Sequence, residues 1–515
     1  MLFLYRLIDF WLIEREFEMG TTSRGRKPNE WASKINHTHI INDPTLQNYL
    51  GECSFPKDIK DEDKKDIEEL VYGVEDIENP VEYFLAVDGG YTTVEVNKNF
   101  PSSELAFFQF GALLFDKKDL TSLSEKPFIF PEDMQKLQKL NRFKLVLPIR
   151  NINYKEEASL TNAFRKTLYE FFMDFEGVCL METLEWFIFE TYKPKNNGSR
   201  KSDDCQLESY VLGSNPNDKN KKGNIELVLS EMSNDYIFSH EDGDIYLTDV
   251  FRFHEAIDDD LGAAGVLGYV TRLVEQLIII HFIKDIYKLQ PKLLNKFLFI
   301  ADGPLSFSGE TANMHEPARE LYNFITGYDS EIGDVNLKKK KSNLYMVGIE
   351  KSGPFTDHAH KIAIKRVPSD YVSNSIKDSD VNTSVKETNG TSRGYLEKNH
   401  YLIPSNKYIY TYITIGDASN MLYGKTFYYS GKVVFHSKDG QIIVASIPTS
   451  DKDMIIKPSK NNFKNIDIIL KNIALLKCDM YDNSIVPIAL ANKLVSLANH
   501  PSQVLIDKFA SNKLK

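Results

Sequence analysis

LGYVTRLVEQLIIIHFIKDIYKL (267–289) is followed, beyond Pro291, by FLFIADGPLSF (297–307). The first run is apolar almost all the way round a helix, the mark of a buried helix rather than a surface one. Pro291 ends it. FLFIA is a short apolar strand, with Asp302-Gly303-Pro304 as a turn at its carboxyl end. Toward the N-terminus, YFLAV (83–87) is another such strand, stopped by Asp88-Gly89-Gly90. TVEV (93–96) reads as the strand after that turn, and LAFFQFGALLF (105–115) as a third, completing an antiparallel meander. Residues 155–192 and 313–327 read as helical. Ile225–Leu229, Ile245–Thr248, Leu344–Ile349, Tyr408–Ile415, Thr426–Tyr429, Lys432–His436 and Gln441–Ser446 read as strands, and Pro487–Leu497 as a closing helix. This order predicts an α/β protein, a mixed sheet flanked by helices.

The composition sets bounds. With 515 residues the chain has room for three domains, or for one with large insertions. A 42% hydrophobic and 12% aromatic content excludes wholesale disorder. The net charge of −11 argues against a free-standing basic sleeve for nucleic acid, though not against a local groove. The four cysteines are scattered and form no CxxC pair, which fits a reducing compartment and argues against a disulfide framework or zinc knuckle. Met1–Phe17 is interrupted by Arg6, Asp9, Glu14 and Arg15 and reads as an amphipathic helix. Since no uncharged apolar run reaches the ~18 residues of a membrane span, a cytoplasmic protein is expected. Residues 1–80 read as a polar and helical extension, with an acidic stretch from Asp58 to Glu69. Residues 81–515 read as one core, with insertions at 116–245 and 369–400.

The chemistry lies at the strand ends. Asp88 and Asp302 both end a buried strand and precede glycine, so both can converge on one sheet edge. Glu275 sits within the apolar helix, where an uncompensated carboxylate is costly. A divalent cation shared by the three would compensate them, and hard oxygen ligands suit Mg²⁺ or Mn²⁺. Each residue also has an ordinary reading. Asp before Gly is a common turn residue, and Glu275 can pair with Arg272, three residues earlier on the same helix.

AVDGG (86–90), RLVE (272–275), FIADGPLSF (299–307) and VGIEKSG (347–353) resemble, in that order, the motifs of NurA-type nucleases. YGKTFYYSGKVVF (423–435) and VPIALANKL (486–494) are similar to that family's closing strands and final helix. The resemblance implies an RNase H-like fold and a Mn²⁺-dependent DNA nuclease. It further implies 5′→3′ exonuclease and single-strand endonuclease activity, a ring-shaped homodimer and a HerA-like hexameric ATPase partner. By position, Asp88, Glu275 and Asp302 match the family's metal-binding acids, and Lys351 matches a lysine that steadies a phosphate or the attacking water. Asn492 stands where the family usually has histidine. Asparagine can coordinate an ion but cannot shuttle a proton. His358 and His360, in FTDHAH, are the candidate substitutes, against an ordinary reading as surface histidines of a loop.

Lys338, Lys339, Lys340 and Lys341 form a run that suits a DNA backbone or, more simply, a solvated loop. Tyr91 and Phe307 lie near the acids and suit base stacking or plain packing. Asp249, His254 and Glu255 form a further possible metal set, with capping or surface contacts as the simpler role. Two rival functions remain. Asp88-Gly89-Gly90-Tyr91-Thr92 resembles the DxGxT phosphate loop of actin and sugar-kinase phosphotransferases, though no Gly-rich adenosine motif follows. A non-catalytic adaptor of an ATPase also fits the acidic charge and Asn492.

Overall fold

Phe84, Ala86, Leu298, Ile300, Val347 and Ile349 alternate along their strands with Leu85, Val87, Phe299, Ala301 and Met346, and all are buried. Strands apolar on both faces belong at the centre of a sheet covered by helices on each side. The structure is a computed structural model. It describes residues 17–19, 31–33, 43–97, 102–124, 138–174, 177–191, 208–218, 220–221, 223–327, 342–363, 395–416, 428–450, 458–478, 483–495, 504–506 and 508–510.

The main sheet has nine strands. These are β1 (Val71–Gly73), β2 (Tyr83–Asn97), β3 (Ser103–Asp116), β4 (Gln138–Arg150), β5 (Phe297–Asp302), β6 (Tyr345–Glu350), β7 (His400–Leu402), β8 (Ser430–His436) and β9 (Ile442–Pro448). Their spatial order is β1-β7-β8-β9-β6-β5-β2-β3-β4. β2, β3 and β4 form an antiparallel meander, and β5 and β6 continue from β2 in parallel. This is the α/β, RNase H-like arrangement the sequence implied, extended by antiparallel strands beyond β6.

One face is covered by α1 (Leu160–Met173) and α2 (Leu267–Leu289), with α3 (His315–Thr326) completing that core. The other carries α4 (Pro354–Ala363), α5 (Ile466–Leu475) and α6 (Val486–Val495). Ala264–Leu289 is long and apolar enough to cross a membrane, but here it is the central core helix.

Several readings need correction. Asp88-Gly89-Gly90 is not a turn: β2 runs unbroken from Tyr83 to Asn97 and pairs with β3 along its length. Gly89 is required for close approach instead, because a Cβ there would stand 2.6 Å from the Phe110 ring and 3.0 Å from Glu275 Oε1. The 116–245 stretch supplies β4, an edge strand of the sheet itself, so its first part belongs to the core. Tyr408–Ile415, read as a strand from its alternating aromatic and β-branched residues, is helical through Ile413. His358 and His360 lie on α4, not in a loop. The chain divides at Lys57/Asp58, and residues 58–80, counted by composition with the extension, fall in the larger unit and supply β1. In the smaller unit, Phe17–Met19 pairs with Trp31–Ser33, and Asp43 caps the Pro44–Glu52 helix by accepting from Thr45 N at 2.8 Å. The predicted amphipathic helix over Met1–Phe17 falls, up to residue 16, outside the described residues, as do Lys338–Lys341 and most of 369–400.

Candidate active site

The register of β5 on β2 brings two of the acids together. Ala301 is paired with Val87, so Asp302 and Asp88 follow as the next neighbours at the carboxyl ends of parallel strands. Phe84 and Ala86 on β2, and Leu298 and Ile300 on β5, face the α4–α6 layer. By the two-residue period of a strand, Asp88 and Asp302 emerge on that same face. Adjacent strands are ~4.8 Å apart, so two carboxylates at one register stand in each other's field. The third acid arrives from the opposite layer. Glu275 on α2 reaches the sheet edge, where the Gly89 N–H donates to Glu275 Oε1 at 2.7 Å and to Asp88 Oδ1 at 2.9 Å. Lys351, the residue after β6, donates from Nζ to Asp302 Oδ2 at 2.7 Å.

The electrostatics follow from burial. Burial raises the Asp88 carboxyl to about 7, with the Asp302 charge adding to the rise and Lys351 and the Gly89 amide opposing it. Burial also drives Glu275 well above the usual carboxylate range, and the Asp88 charge is the next cause. Asp88 Oδ2 is buried with no hydrogen-bond partner. An orphaned buried acceptor among like charges is a costly arrangement in the absence of a cation. Glu275 does not form the helical ion pair with Arg272. The Arg272 guanidinium turns instead to the loop after β5, where Nη1 donates to Pro304 O at 3.0 Å.

That loop is held by small residues and buried hydroxyls. Gly303 has φ +84°, and its N–H donates to Ile349 O at 2.8 Å. A Cβ on Gly348 would fall 2.3 Å from Gly303 O, so only glycine lets the loop fold back over β6. Leu305 N donates to Ser446 Oγ at 2.8 Å, and Ser430 Oγ donates to Leu305 O at 2.7 Å. Beside Lys351, Glu350 accepts from buried Lys432, whose ammonium also sits over the Tyr428 ring at 4.7 Å. Burial pushes Lys432 below its ordinary value, with Glu350 opposing. In the sequence Gly89 reads only as a turn residue, Gly348 and Lys432 lie without a role in the VGIEKSG and YSGKVVF stretches, and Ser446 is only the end of a strand.

The other predicted residues fall elsewhere or at the margin. Asn492 is exposed on α6, one turn before Val495, whose carbonyl oxygen would lie 3.2 Å from a Cβ on Gly90. That end of α6 therefore borders the acids. His358 is buried on α4, where its Nε2 meets the Tyr408 hydroxyl at 2.7 Å, and burial pushes it down to about 4. His360 pairs with Asn483 at 2.8 Å. Neither histidine shares a hydrogen bond with Asp88, Glu275 or Asp302. Tyr91 is exposed and tilted against Phe108, while Phe307 is buried and stacked on Tyr429. Asp249 holds Arg165 in a buried ion pair at 2.7 Å and accepts from Tyr246 N, so it caps a turn. Glu255 pairs with Arg252.

The three acids occur in the order strand, helix, following strand, at positions 88, 275 and 302. The NurA domain family model matches residues 82–345, a span that contains all three. The chain belongs to the NurA domain family. The resemblance read from the motifs is thereby borne out, and the match runs through 116–245, the stretch the motifs left unassigned. Lys351, His358, His360 and Asn492 lie beyond the matched NurA span. Among solved structures, the chain is similar to the NurA nuclease from Sulfolobus solfataricus, at 9% identity and a TM-score of 0.29 over 99% of this chain and 97% of that one. It is also similar to NurA with manganese, at 11% identity and a TM-score of 0.23 over 94% and 99%. No curated protein matches the chain.

Among the described residues of this NurA chain, no three His, Cys, Asp or Glu side chains stand at ready-made ligand spacing. Asp302 is turned to Lys351, while Asp88 and Glu275 share one amide. The donor chemistry nevertheless fits a hard divalent cation: all three groups are carboxylates, and Asp88 offers an oxygen with no other use. The DxGxT phosphate-loop analogy fails, because a phosphate loop needs a turn where β2 is continuous.

Proposed function

We propose that this chain is a divalent-metal-dependent DNA nuclease. The observation that carries the reading is that Asp88 and Glu275 share the Gly89 amide, with an orphaned oxygen on Asp88, while Asp302 sits one register step away on the neighbouring strand with Lys351 held on it. Those three carboxylates would hold Mn²⁺ or Mg²⁺, which when bound lowers the pKa of water and offsets charge at a phosphate. The chain's own groups do the rest. The Gly89 N–H fixes one oxygen each of Asp88 and Glu275, so both remaining oxygens keep set directions. Lys351 holds Asp302 by direct contact, and its ammonium is placed to offset charge that develops on phosphoryl oxygens. With Asp88 titrating at about 7, the apoprotein holds a proton at this carboxyl near neutral pH.

The finer reading is a 5′→3′ exonuclease and single-strand endonuclease. It would act as a homodimer with a HerA-like hexameric ATPase, in the cytoplasm, in end processing, repair or anti-phage defence. The acidic surplus supports a translocase partner, because a chain of net charge −11 gains little from general attraction to DNA. Exposed Tyr91 is suited to stack on a base, and the Lys338–Lys341 run to touch the backbone.

The test uses the purified full chain with linear DNA and Mn²⁺, Mg²⁺ or EDTA, with and without a HerA-like translocase. Metal-dependent release of nucleotides is expected, and Asp302→Asn should lower it by at least about 10³-fold while the circular dichroism spectrum is unchanged. No cleavage in any condition by the folded wild type rejects the nuclease and favours a non-catalytic adaptor.

A further inference from the structure

Arg272 is a fixed cation with an idle fork. It lies one turn before Glu275 on α2. A Cβ on Gly303 would stand 2.7 Å from Arg272 Nη2, 2.9 Å from Nη1 and 3.2 Å from Cζ. The guanidinium therefore lies across the α-carbon of the residue next to Asp302, in space left only by a glycine. Its Nη1 bond to Pro304 O, at 3.0 Å, fixes its rotation.

The surrounding acids do not use it. Glu275 accepts from the Gly89 amide, and Asp302 accepts from Lys351. Among the described residues no carboxylate comes within the 4.0 Å of an ion pair with Arg272. Among the described residues Nε and Nη2 find no hydrogen-bond partner, neither is a buried orphan, and Arg272 is only half-buried. The charge is nonetheless felt locally: it opposes the rise of Glu275 and adds to the lowering of Lys432. Clamping the loop needs one of the five N–H groups of a guanidinium. Holding a second positive charge near Lys432 for that purpose alone is a poor use of an arginine, since a neutral donor would serve.

We propose that Arg272 binds a backbone phosphate of the DNA strand beside the carboxylates, through Nε and Nη2. The assignment rests on the nuclease reading above. A planar fork with two parallel N–H groups matches two oxygens of a phosphodiester and holds them at a set angle, which a lysine ammonium does not. Lys351 is tied to Asp302, so among the described residues Arg272 supplies a cation open to an incoming anion on the α2 side. Its distance from the acids is set by Gly303, so the phosphate it holds fixes the register of the strand against them.

The experiment is a cycle between the side chain and single phosphates. Short single-stranded oligonucleotides carry one neutral methylphosphonate at successive positions. Their binding to wild type, Arg272→Ala and Arg272→Lys is measured by fluorescence anisotropy in Ca²⁺, and kcat/KM in Mn²⁺. On unmodified DNA, Arg272→Ala should lower kcat/KM by about 10²-fold and reduce the slope of log affinity against log salt by about one. Arg272→Lys should recover the slope but only part of kcat/KM. At one position the methylphosphonate should weaken wild type about tenfold and leave Arg272→Ala unchanged. If the wild type cleaves, and Arg272→Ala is as sensitive as wild type to every methylphosphonate, the residue is only a loop clamp and the assignment falls alone. If the folded wild type neither binds nor cleaves DNA, the nuclease reading falls and takes the assignment with it.

Discussion

Asp88→Asn separates what the carboxylate costs the fold from what it does for the site. The carboxyl rises from 3.8 to about 7 in the folded protein. At about 1.4 kcal/mol per pH unit, that rise amounts to about 4 kcal/mol. The sign follows from proton uptake. Between pH 4 and 7 the folded protein holds a proton that the unfolded chain has already released, so stability falls as pH rises through that window. Asparagine is neutral throughout and keeps an acceptor for the Gly89 amide. Its NH₂ takes the place of Oδ2, which lacks a partner in the wild type too, so the cost of an unsatisfied group roughly cancels. Relative to wild type in EDTA, Asp88→Asn should be equal in stability near pH 4. It should be about 3 kcal/mol more stable at pH 6 and about 4 kcal/mol at pH 8. Urea denaturation of both proteins at the three pH values measures this. Adding Mn²⁺ at a hundred times its Kd should narrow the pH 8 gap, since it contributes about 2.7 kcal/mol to the protein that binds it, and at a thousand times its Kd, about 4.1 kcal/mol, the two should be about equal. An Asp88→Asn protein no more stable than wild type at pH 8, or a difference that does not grow with pH, would refute the burial argument. The expected coincidence of higher apoprotein stability with lost cleavage is the mark of a site built at the expense of the fold.

Gly89→Ala places a methyl 2.6 Å from Phe110 and 3.0 Å from Glu275; it should cost about 1–3 kcal/mol by calorimetry and lower Mn²⁺-dependent cleavage at least about tenfold. Lys432→Met leaves Glu350 buried without its cation and should cost about 3–5 kcal/mol in urea denaturation, with most recovered when Glu350→Leu is added. Lys351→Met removes a charge that holds Asp88 down; the acidic limb of the pH–rate profile should move to higher pH, and an unmoved limb would show that Lys351 does not act on Asp88.

The central helix and the strands around it were legible because burial on all sides leaves a run of apolar residues that needs no partner to be recognised. The acids were legible for the opposite reason: a carboxylate in such a run is out of place. Asp88-Gly89-Gly90 was misread because glycine in sequence marks a turn more often than a close approach. The Phe110 ring and the Glu275 carboxylate that require Gly89 are distant in sequence. Helical spacing suggested Arg272 for Glu275, but spacing is blind to a third group. The Gly89 amide took the carboxylate, and the Pro304 carbonyl took the guanidinium. Tyr408–Ile415 alternates like a strand, yet its buried Tyr408 and Ile409 pack in the α4–α6 layer, a demand made by distant residues.

The pairing of β5 with β2 also governs when activity can first exist. A one-residue slip of β5 would turn Asp302 toward the opposite core, so the two aspartates meet in a single register only. Glu275 closes on Gly89 from 186 residues away in the chain, and such non-local contacts form late because loop closure precedes them. During synthesis, β2 and its meander can assemble long before α2 and β5 have emerged. On the proposed nuclease reading, a chain made only that far carries one acid of the three, and the site is complete only once α2 and β5 have joined the sheet.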